Sequence, residues 1–396
     1  MHVTYLTHYA ELYGANRSLL DLMVELRDRG EVVPHVLLPR EGPMTDRLSE
    51  LRIAHRVLPF QPWMSERRYE GRAHHRIGQW WRYRRAARAR AQRNRALLPV
   101  LDDQVKAWGT RIIHANSSVV GVATDLASET LRPLVWHIRE LPERQYMLHI
   151  DEGRSAYAQA LRNADRLIAI SEAVRADILR YTDPVRPITI IYNGVLKGAR
   201  YAELRNEGTD RWASTVPFIF AMIGLIHPAK GQMEAVEALA IVRRAGVDAR
   251  LVIAGDGKDR DLRQRIKVLG LEDHVDLPGF VADPYSVLRE AHALLMCSRN
   301  EAMGRVTVEA MASGLPVIGH ASGGTPELFT DGVSGSLYAN GAGELADRML
   351  RLVRDPVSAR ELGEAGSHAA EERFSIERYA SEVLAVYRAV LSERPV

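Results

Sequence analysis

Short apolar runs rich in Val, Ile and Leu alternate along this chain with longer stretches of helical spacing, the pattern of parallel α/β layers. In the first half, runs at 2–8, 32–39, 55–60, 111–116, 134–140, 166–171 and 188–193 predict strands, with helical segments such as 17–29 and 172–181 between them. The next stretch is polar and glycine-containing, and 196–215 reads as a connection between two domains. A second alternation follows, with strands expected at 218–224, 249–256, 275–280, 293–298 and 316–320 and helices at 230–245 and 304–312 among others. The last stretch, 374–391, places Ile376, Tyr379, Val383, Val386 and Val390 at helical spacing. The expected organisation is an open α/β domain over 1–195, a connection over 196–215, a second α/β domain over 216–373, and a C-terminal helix over 374–396 that packs back on the first domain. Such sheets bind ligands at the carboxyl ends of their strands, so two of them face to face predict one interdomain cleft.

Composition sets the class. A chain of 396 residues, 46% hydrophobic, is too long for one ordinary domain and sufficient for two cores. The single cysteine, Cys297, cannot form an internal disulfide, which fits a reducing compartment. The start MHVTYLTHYAELYG has no basic leader, and no run approaches the roughly 18 apolar residues of a spanning helix. A cytoplasmic protein is expected, soluble or peripheral on the inner face of the plasma membrane. The net charge of +3 hides one anomaly, because 67–95 holds eleven arginines and one acid, Glu70, interleaved with Trp80, Trp81 and Tyr83. A basic helix carrying tryptophans is what an anionic membrane surface attracts, and a solvated rim helix is the plainer reading. No nucleic-acid partner is expected, since no RNA- or DNA-binding module accompanies the block.

The chemistry concentrates at 298–329, SRNEAMGRVTVEAMASGLPVIGHASGGTPELF. Glu301 ends a strand-to-loop transition, and Glu309 follows on a helix that starts near Gly304. A helix N-terminus offers free N–H groups and the positive end of a dipole, suited to a diphosphate. Gly304 permits close backbone approach. Taken singly, each glutamate is readily structural; together with Gly314–Pro316 and Gly323–Gly324 the two read as a donor site.

These residues resemble the retaining glycosyltransferases of family 4, of the GT-B fold: an E-x7-E run, then EAMA-x-G-x-PVI and GG-x-x-E, here Glu301 to Glu309, Gly314, Pro316–Ile318 and Gly323–Glu327. The resemblance implies two Rossmann-like domains facing across a cleft. It implies that Glu301 contacts the donor sugar, that Glu309 holds the ribose hydroxyls, and that the amides of Gly304, Arg305 and Val306 cradle the diphosphate. MIGLIHPAKGQMEAV resembles the family's G-R-x-x-x-x-K-G element, with Lys230 and Gly231 matching and Leu225 where an arginine is expected. Arg305 is the candidate to supply the missing charge. LPGFVAD resembles the segment that meets the base, around Phe280 and Val281.

In the first half, Gly14 fills the glycine turn after the first strand, with Ala15 where a second glycine is usual, and Asn16 and Arg17 begin the next helix toward the acceptor. Asn116 and Arg139 end strands on the same side, and the resemblance places His137 near the donor sugar and acceptor hydroxyl. Glu301, His137 and Lys230 are thus the expected catalytic residues. No Asp-x-Asp stands in a strand-end context, so neither metal nor cofactor is expected beyond a UDP- or GDP-sugar co-substrate. Retention is open to a double displacement through a carboxylate or to front-face attack guided by the leaving phosphate; the resemblance implies the second, with a sugar, lipid-linked or small-molecule acceptor. A nucleotide-sugar epimerase of the same fold is disfavoured by the full E-x7-E run. A dehydrogenase lacks its G-x-G-x-x-G after a strand, and a P-loop NTPase its G-x-x-x-x-G-K-[ST].

Overall fold

The central apolar runs form strands covered on both faces, which requires continuous hydrophobic segments rather than alternating ones. The computed structural model describes residues 1–396 except 68, 70, 184–186, 208 and 394–396. Arg68 and Glu70 of the basic block therefore lie outside the described residues. In chain order the strands are β1 (His2–Leu6), β2 (Val33–Leu38), β3 (Ala54–Val57), β4 (Met64–Glu66), β5 (Ile112–Ala115), β6 (Leu134–Ile138), β7 (Leu148–Ile150), β8 (Arg166–Ala169), β9 (Ile188–Ile190), β10 (Phe218–Ile223), β11 (Ala249–Ala254), β12 (Val275–Gly279), β13 (Ala293–Met296), β14 (Val317–His320) and β15 (Ser336–Tyr338). Every expected strand is present. The three that the pattern does not announce, β4, β7 and β15, are three residues each, too short to leave a periodic signal.

Two parallel sheets result, ordered β3-β2-β1-β5-β6-β8-β9 and β12-β11-β10-β13-β14-β15, with β4 and β7 pairing antiparallel beside the first. In each sheet the strand order reverses beside its first strand: β1 lies between β2 and β5, and β10 between β11 and β13. Ligands bind outside the carboxyl ends of strands at such switch points.

The chain divides into two compact units, Met1–Gly194 with Glu377–Val396, and Val195–Ile376. In the first, the C-terminal helix Ile376–Glu393 buries Tyr379, Val383, Tyr387 and Val390 against Val3, Tyr5, Ile112 and Val135. In the second, part of the polar stretch read as a connection is a helix, Gly198–Glu207. Its Tyr201 and Leu204 are buried, and Tyr201 donates a hydrogen bond to the Phe374 carbonyl at 2.9 Å. Two apolar positions in a charged helix give too weak a period to read. From residue 73 on, the basic block lies in one 35-residue helix, Ala73–Ala107. No helix among the described residues is long and apolar enough to cross a membrane.

Beneath the C-terminal helix, the first unit buries a polar cluster. The Tyr387 hydroxyl meets His114 Nδ1 at 2.7 Å, and the His114 and His137 rings pack with centroids 5.4 Å apart. Burial, with Arg139 beside both, holds the two histidines well below the usual pKa. Both are therefore neutral when folded and take up protons on unfolding below about pH 6.5. Folding stability is then complete above that pH and falls as pH drops toward the folded-state values, by about 1.4 kcal/mol per pH unit for each histidine. Thermal unfolding at pH 7.5 and 5.0 checks this: the midpoint falls in acid, and His137→Gln flattens the dependence. An unchanged slope in that variant would contradict the assignment.

Candidate active site

In the second unit, the chain leaves β10 through Gly224, at φ 147°, and reaches Lys230 at the end of a short 3-10 turn, Pro228–Lys230. Gly231 follows at φ 74°, where a Cβ would lie 2.5 Å from the Cys297 carbonyl oxygen. Only glycine allows this approach, which brings Lys230 beside the loop leaving β13. That loop is fixed from its other side. The amide of Asn300 donates to Ser322 Oγ at 2.9 Å, and the amide of Gly324 donates to the Glu301 carbonyl at 2.7 Å. Gly323, at φ 62°, lies so close that a Cβ would stand 2.3 Å from the Glu301 carbonyl oxygen.

The result is an ion pair, Lys230 Nζ to Glu301 Oε2 at 2.6 Å, with both side chains largely buried. Gly304, at φ 84°, then turns the chain into the helix Arg305–Ala312, whose first amides point out of its N-terminus. Thr307 Oγ1, in the first turn and buried, has no hydrogen-bond partner among the described residues. The sequence reading passed over this hydroxyl, although its place in the first turn after Gly304 was legible. The arrangement can hold a doubly charged phosphate group: N–H donors, a dipole end, a hydroxyl and one mobile cation.

Arg305 does not extend beyond the helix end. Its guanidinium turns along the helix, with Nε donating to Glu309 Oε1 at 3.0 Å and Nη2 to the Val195 carbonyl at 2.9 Å. Glu309 is almost fully buried. Leu225, where the family pattern has arginine, is half-exposed, and its carbonyl accepts from Gln232 Nε2 at 2.9 Å. Phe280, just past edge strand β12, is 71% exposed, and Val281 beside it is half-buried. A phenyl ring left open at the carboxyl end of a strand offers an apolar face to a planar group.

In the first unit, the strand-end residues are held by one another. Asn16 is buried: its Oδ1 accepts from Thr7 Oγ1 at 2.6 Å, and its Nδ2 donates to the carbonyls of Tyr9 and Glu11 at 3.0 and 2.8 Å. Its amide shapes the loop after β1 rather than pointing at a ligand. Arg17 is half-buried and Gly14 is exposed at the start of the helix Gly14–Asp28. Arg139 Nε donates to Asn116 Oδ1 at 2.6 Å, its Nη2 to Tyr379 Oη at 2.7 Å, and its Nη1 to Asn193 Oδ1. His137 has no exposed surface, because its ring shares the sheet face with Val135 and lies under the C-terminal helix. A proton transfer to a bound acceptor needs hydrogen-bond reach, and a ring sealed in the core has none, so we give His137 a structural role. The residue that the reading missed is His8, two positions past β1. Burial lowers its pKa while Glu140 and Glu11 oppose that shift, and its Nδ1 has no partner among the described residues. Glu140, past β6, accepts from the Ser118 amide and hydroxyl at 3.0 and 2.9 Å.

Comparison with known proteins gives the family and the fold. The family Glycosyl transferases group 1 matches residues 209–369, and the Glycosyl transferase 4-like domain matches 13–194. The D-inositol 3-phosphate glycosyltransferase of Actinosynnema mirum is 32% identical over 299 residues, 71% of this chain and 67% of that protein. The alpha-D-kanosaminyltransferase of Streptomyces kanamyceticus is 26% identical over 287 residues, 70% of this chain and 73% of that protein. Among solved structures, HepE from Anabaena in complex with UDP-glucose superposes with a TM-score of 0.76 at 22% identity, covering 98% of this chain and 100% of that one. Sucrose-phosphate synthase from Thermosynechococcus elongatus gives a TM-score of 0.76 at 18% identity, each chain covered completely. The chain belongs to the retaining family 4 glycosyltransferases, enzymes of the GT-B fold that take a sugar from a nucleotide-sugar.

Proposed function

We propose that this chain transfers a hexose from a UDP- or GDP-sugar to an acceptor hydroxyl in the assembly of a polysaccharide or glycolipid, without a metal ion. The observation that carries this reading is the Lys230–Glu301 pair at 2.6 Å, fixed beside the N-terminus of the helix Arg305–Ala312. In the reaction the bond between the anomeric carbon and the diphosphate oxygen breaks and the acceptor oxygen bonds to the same face. The acceptor proton passes to the leaving phosphate. Charge growing on that diphosphate is stabilised by Lys230 and the helix amides. Glu301 orients the sugar hydroxyls, Glu309 the ribose, and Phe280 the base. UDP is favoured by the likeness to HepE, solved with UDP and with UDP-glucose. A soluble small-molecule acceptor is the second reading, favoured by the likeness to the kanosaminyltransferase. A panel of UDP-, GDP-, ADP- and dTDP-sugars in EDTA, followed by mass spectrometry, tests the donor. Release of one nucleoside diphosphate supports the reading, and dependence on added divalent metal would overturn its metal-free form.

Arg305 acts here through Glu309. Arg305→Ala is expected to raise the donor KM about tenfold, the scale of one lost charged hydrogen bond, with a smaller change in kcat. Arg305→Lys restores little, because a point charge cannot reach both Glu309 and the Val195 carbonyl. A fall in kcat with KM unchanged would instead place its guanidinium on the leaving group.

The basic helix supports peripheral docking on an anionic membrane: Ile77 and Trp81 are 60% and 59% exposed, with Arg82 and Arg85 exposed beside them. Sedimentation with vesicles, with and without anionic lipid, tests it. No binding at low salt would exclude it.

A further inference from the structure

The helix Ala73–Ala107 presents a second stripe, the solvent-exposed Trp80, Arg84, Arg88 and Arg95, that lines one wall of an open cavity of about 460 Å³. The opposite wall is the end of β7 and the turn after it, Ile150–Gly153. That volume is the size of a small-molecule site.

The charges in this cavity do not balance. Asp151 is its innermost acid, but Arg90 holds it at 2.6 Å and Arg67 at 3.3 Å, and Ser65 Oγ donates to it at 2.8 Å. Glu152 is the other acid on the lining. No ion pair to a described carboxylate is formed by Arg84 or Arg88. The Arg84 guanidinium instead lies 4.8 Å from the centroid of the Trp80 ring. Like charges four positions apart on a helix oppose each other, and Arg84 and Arg88 share one concave lining. An anion in the cavity relieves that opposition.

The floor is tied to the carboxyl edge of the first sheet. Trp63 precedes β4, its indole donates to the Ser118 carbonyl at 2.7 Å, and its backbone carbonyl accepts from the Asp151 amide at 2.9 Å. Gly121 meets the Trp63 ring so closely that a Cβ would stand 2.1 Å from it. Ser118 in turn donates to Glu140 beyond β6. The cavity thus adjoins the strand ends where an open sheet takes its ligand.

We propose that this cavity binds an acidic saccharide, a chain whose sugar rings lie against the Trp80 indole while carboxylate or phosphate groups pair with Arg84, Arg88 and Arg95. Planar guanidinium groups match both anions in two-point contacts. A flat bilayer would meet the more exposed Ile77 and Trp81, which do not line the cavity, whereas Trp80, Arg84, Arg88 and Arg95 share its concave wall. The inference deepens the transferase reading by naming the acceptor class. Its assay needs neither donor nor turnover, so its failure leaves the donor site intact.

The test is titration of the full chain with tetragalacturonate, with neutral maltotetraose and with a thymidine tetranucleotide as comparators. Tetragalacturonate is expected to bind and maltotetraose not to. Arg84→Ala with Arg88→Ala should weaken binding at least tenfold, and Trp80→Ala likewise. Arg82→Ala with Arg85→Ala, on the outward face, should change it less than twofold. Equal weakening by both arginine pairs would reduce the effect to general charge attraction and overturn the site. So would absence of tetragalacturonate binding, or equally tight tetranucleotide binding through the same residues.

Discussion

Replacing Lys230 by alanine is expected to lower turnover by about two to three orders of magnitude, the loss seen when one donor to a developing oxyanion is removed. Two effects combine. The diphosphate loses the cation that answers its growing charge, and Glu301 is left with its carboxylate largely buried and its 2.6 Å partner gone. A buried carboxylate that loses its cation is costly, so the variant also relaxes around Glu301. Since the two side chains act as one unit, the double variant Lys230→Ala, Glu301→Ala should lose about as much as the worse single one. Single-turnover kinetics with the identified donor checks this. Strictly additive losses would show that the pair is incidental to catalysis.

The second large effect is expected at Gly323→Ala. The residue sits at φ 62°, and a Cβ would stand 2.3 Å from the carbonyl oxygen and 2.7 Å from the amide nitrogen of Glu301. Those are backbone atoms, so no side-chain rotation relieves the overlap. The left-handed backbone itself costs about 1–2 kcal/mol for a residue with a Cβ, and the overlap must displace the Glu301 loop. A displacement on the order of 1 Å at a reacting centre costs about a hundredfold in rate. Gly332→Ala is the control: φ is 73°, but nothing lies within 4 Å of the added methyl. It should lose a few degrees of melting temperature, about 2–4 °C per kcal/mol for a unit of this size, and keep its activity. Equal activity losses in the two variants would mean that the Glu301 loop is not what Gly323 protects.

What the sequence made legible follows from where each signal resides. Strands β1, β5, β10 and β13 are buried on both faces, and a continuous apolar run announces that state directly. The expectations at Lys230, Glu301, Gly304 and Glu309 came from the family pattern of glutamates, lysine and glycines at fixed offsets, and the structure shows close backbone approaches at Gly231 and Gly323 within that pattern. The direction of a side chain was not legible. Spacing puts Arg305 at the helix N-terminus, but only packing shows it turned four residues along to Glu309. Likewise, a histidine at a strand end reads as a ligand until the C-terminal helix, more than two hundred residues away, is seen to cover it with Tyr379. His8 went unread because its surroundings come from burial and from Glu140, in the loop past β6 and far away in sequence, as much as from its neighbour Glu11. The helix Gly198–Glu207, with only Tyr201 and Leu204 buried, was hidden by its own charge.

The most direct test of the donor site is titration calorimetry of the full chain, in EDTA, with the nucleoside diphosphate that the donor panel releases. Wild-type protein should bind it without metal, and Lys230→Ala should bind it at least tenfold more weakly. Equal affinity in the two proteins, or heat that appears only when a divalent cation is added, would contradict the assignment of the diphosphate to Lys230 and the N-terminus of the helix Arg305–Ala312.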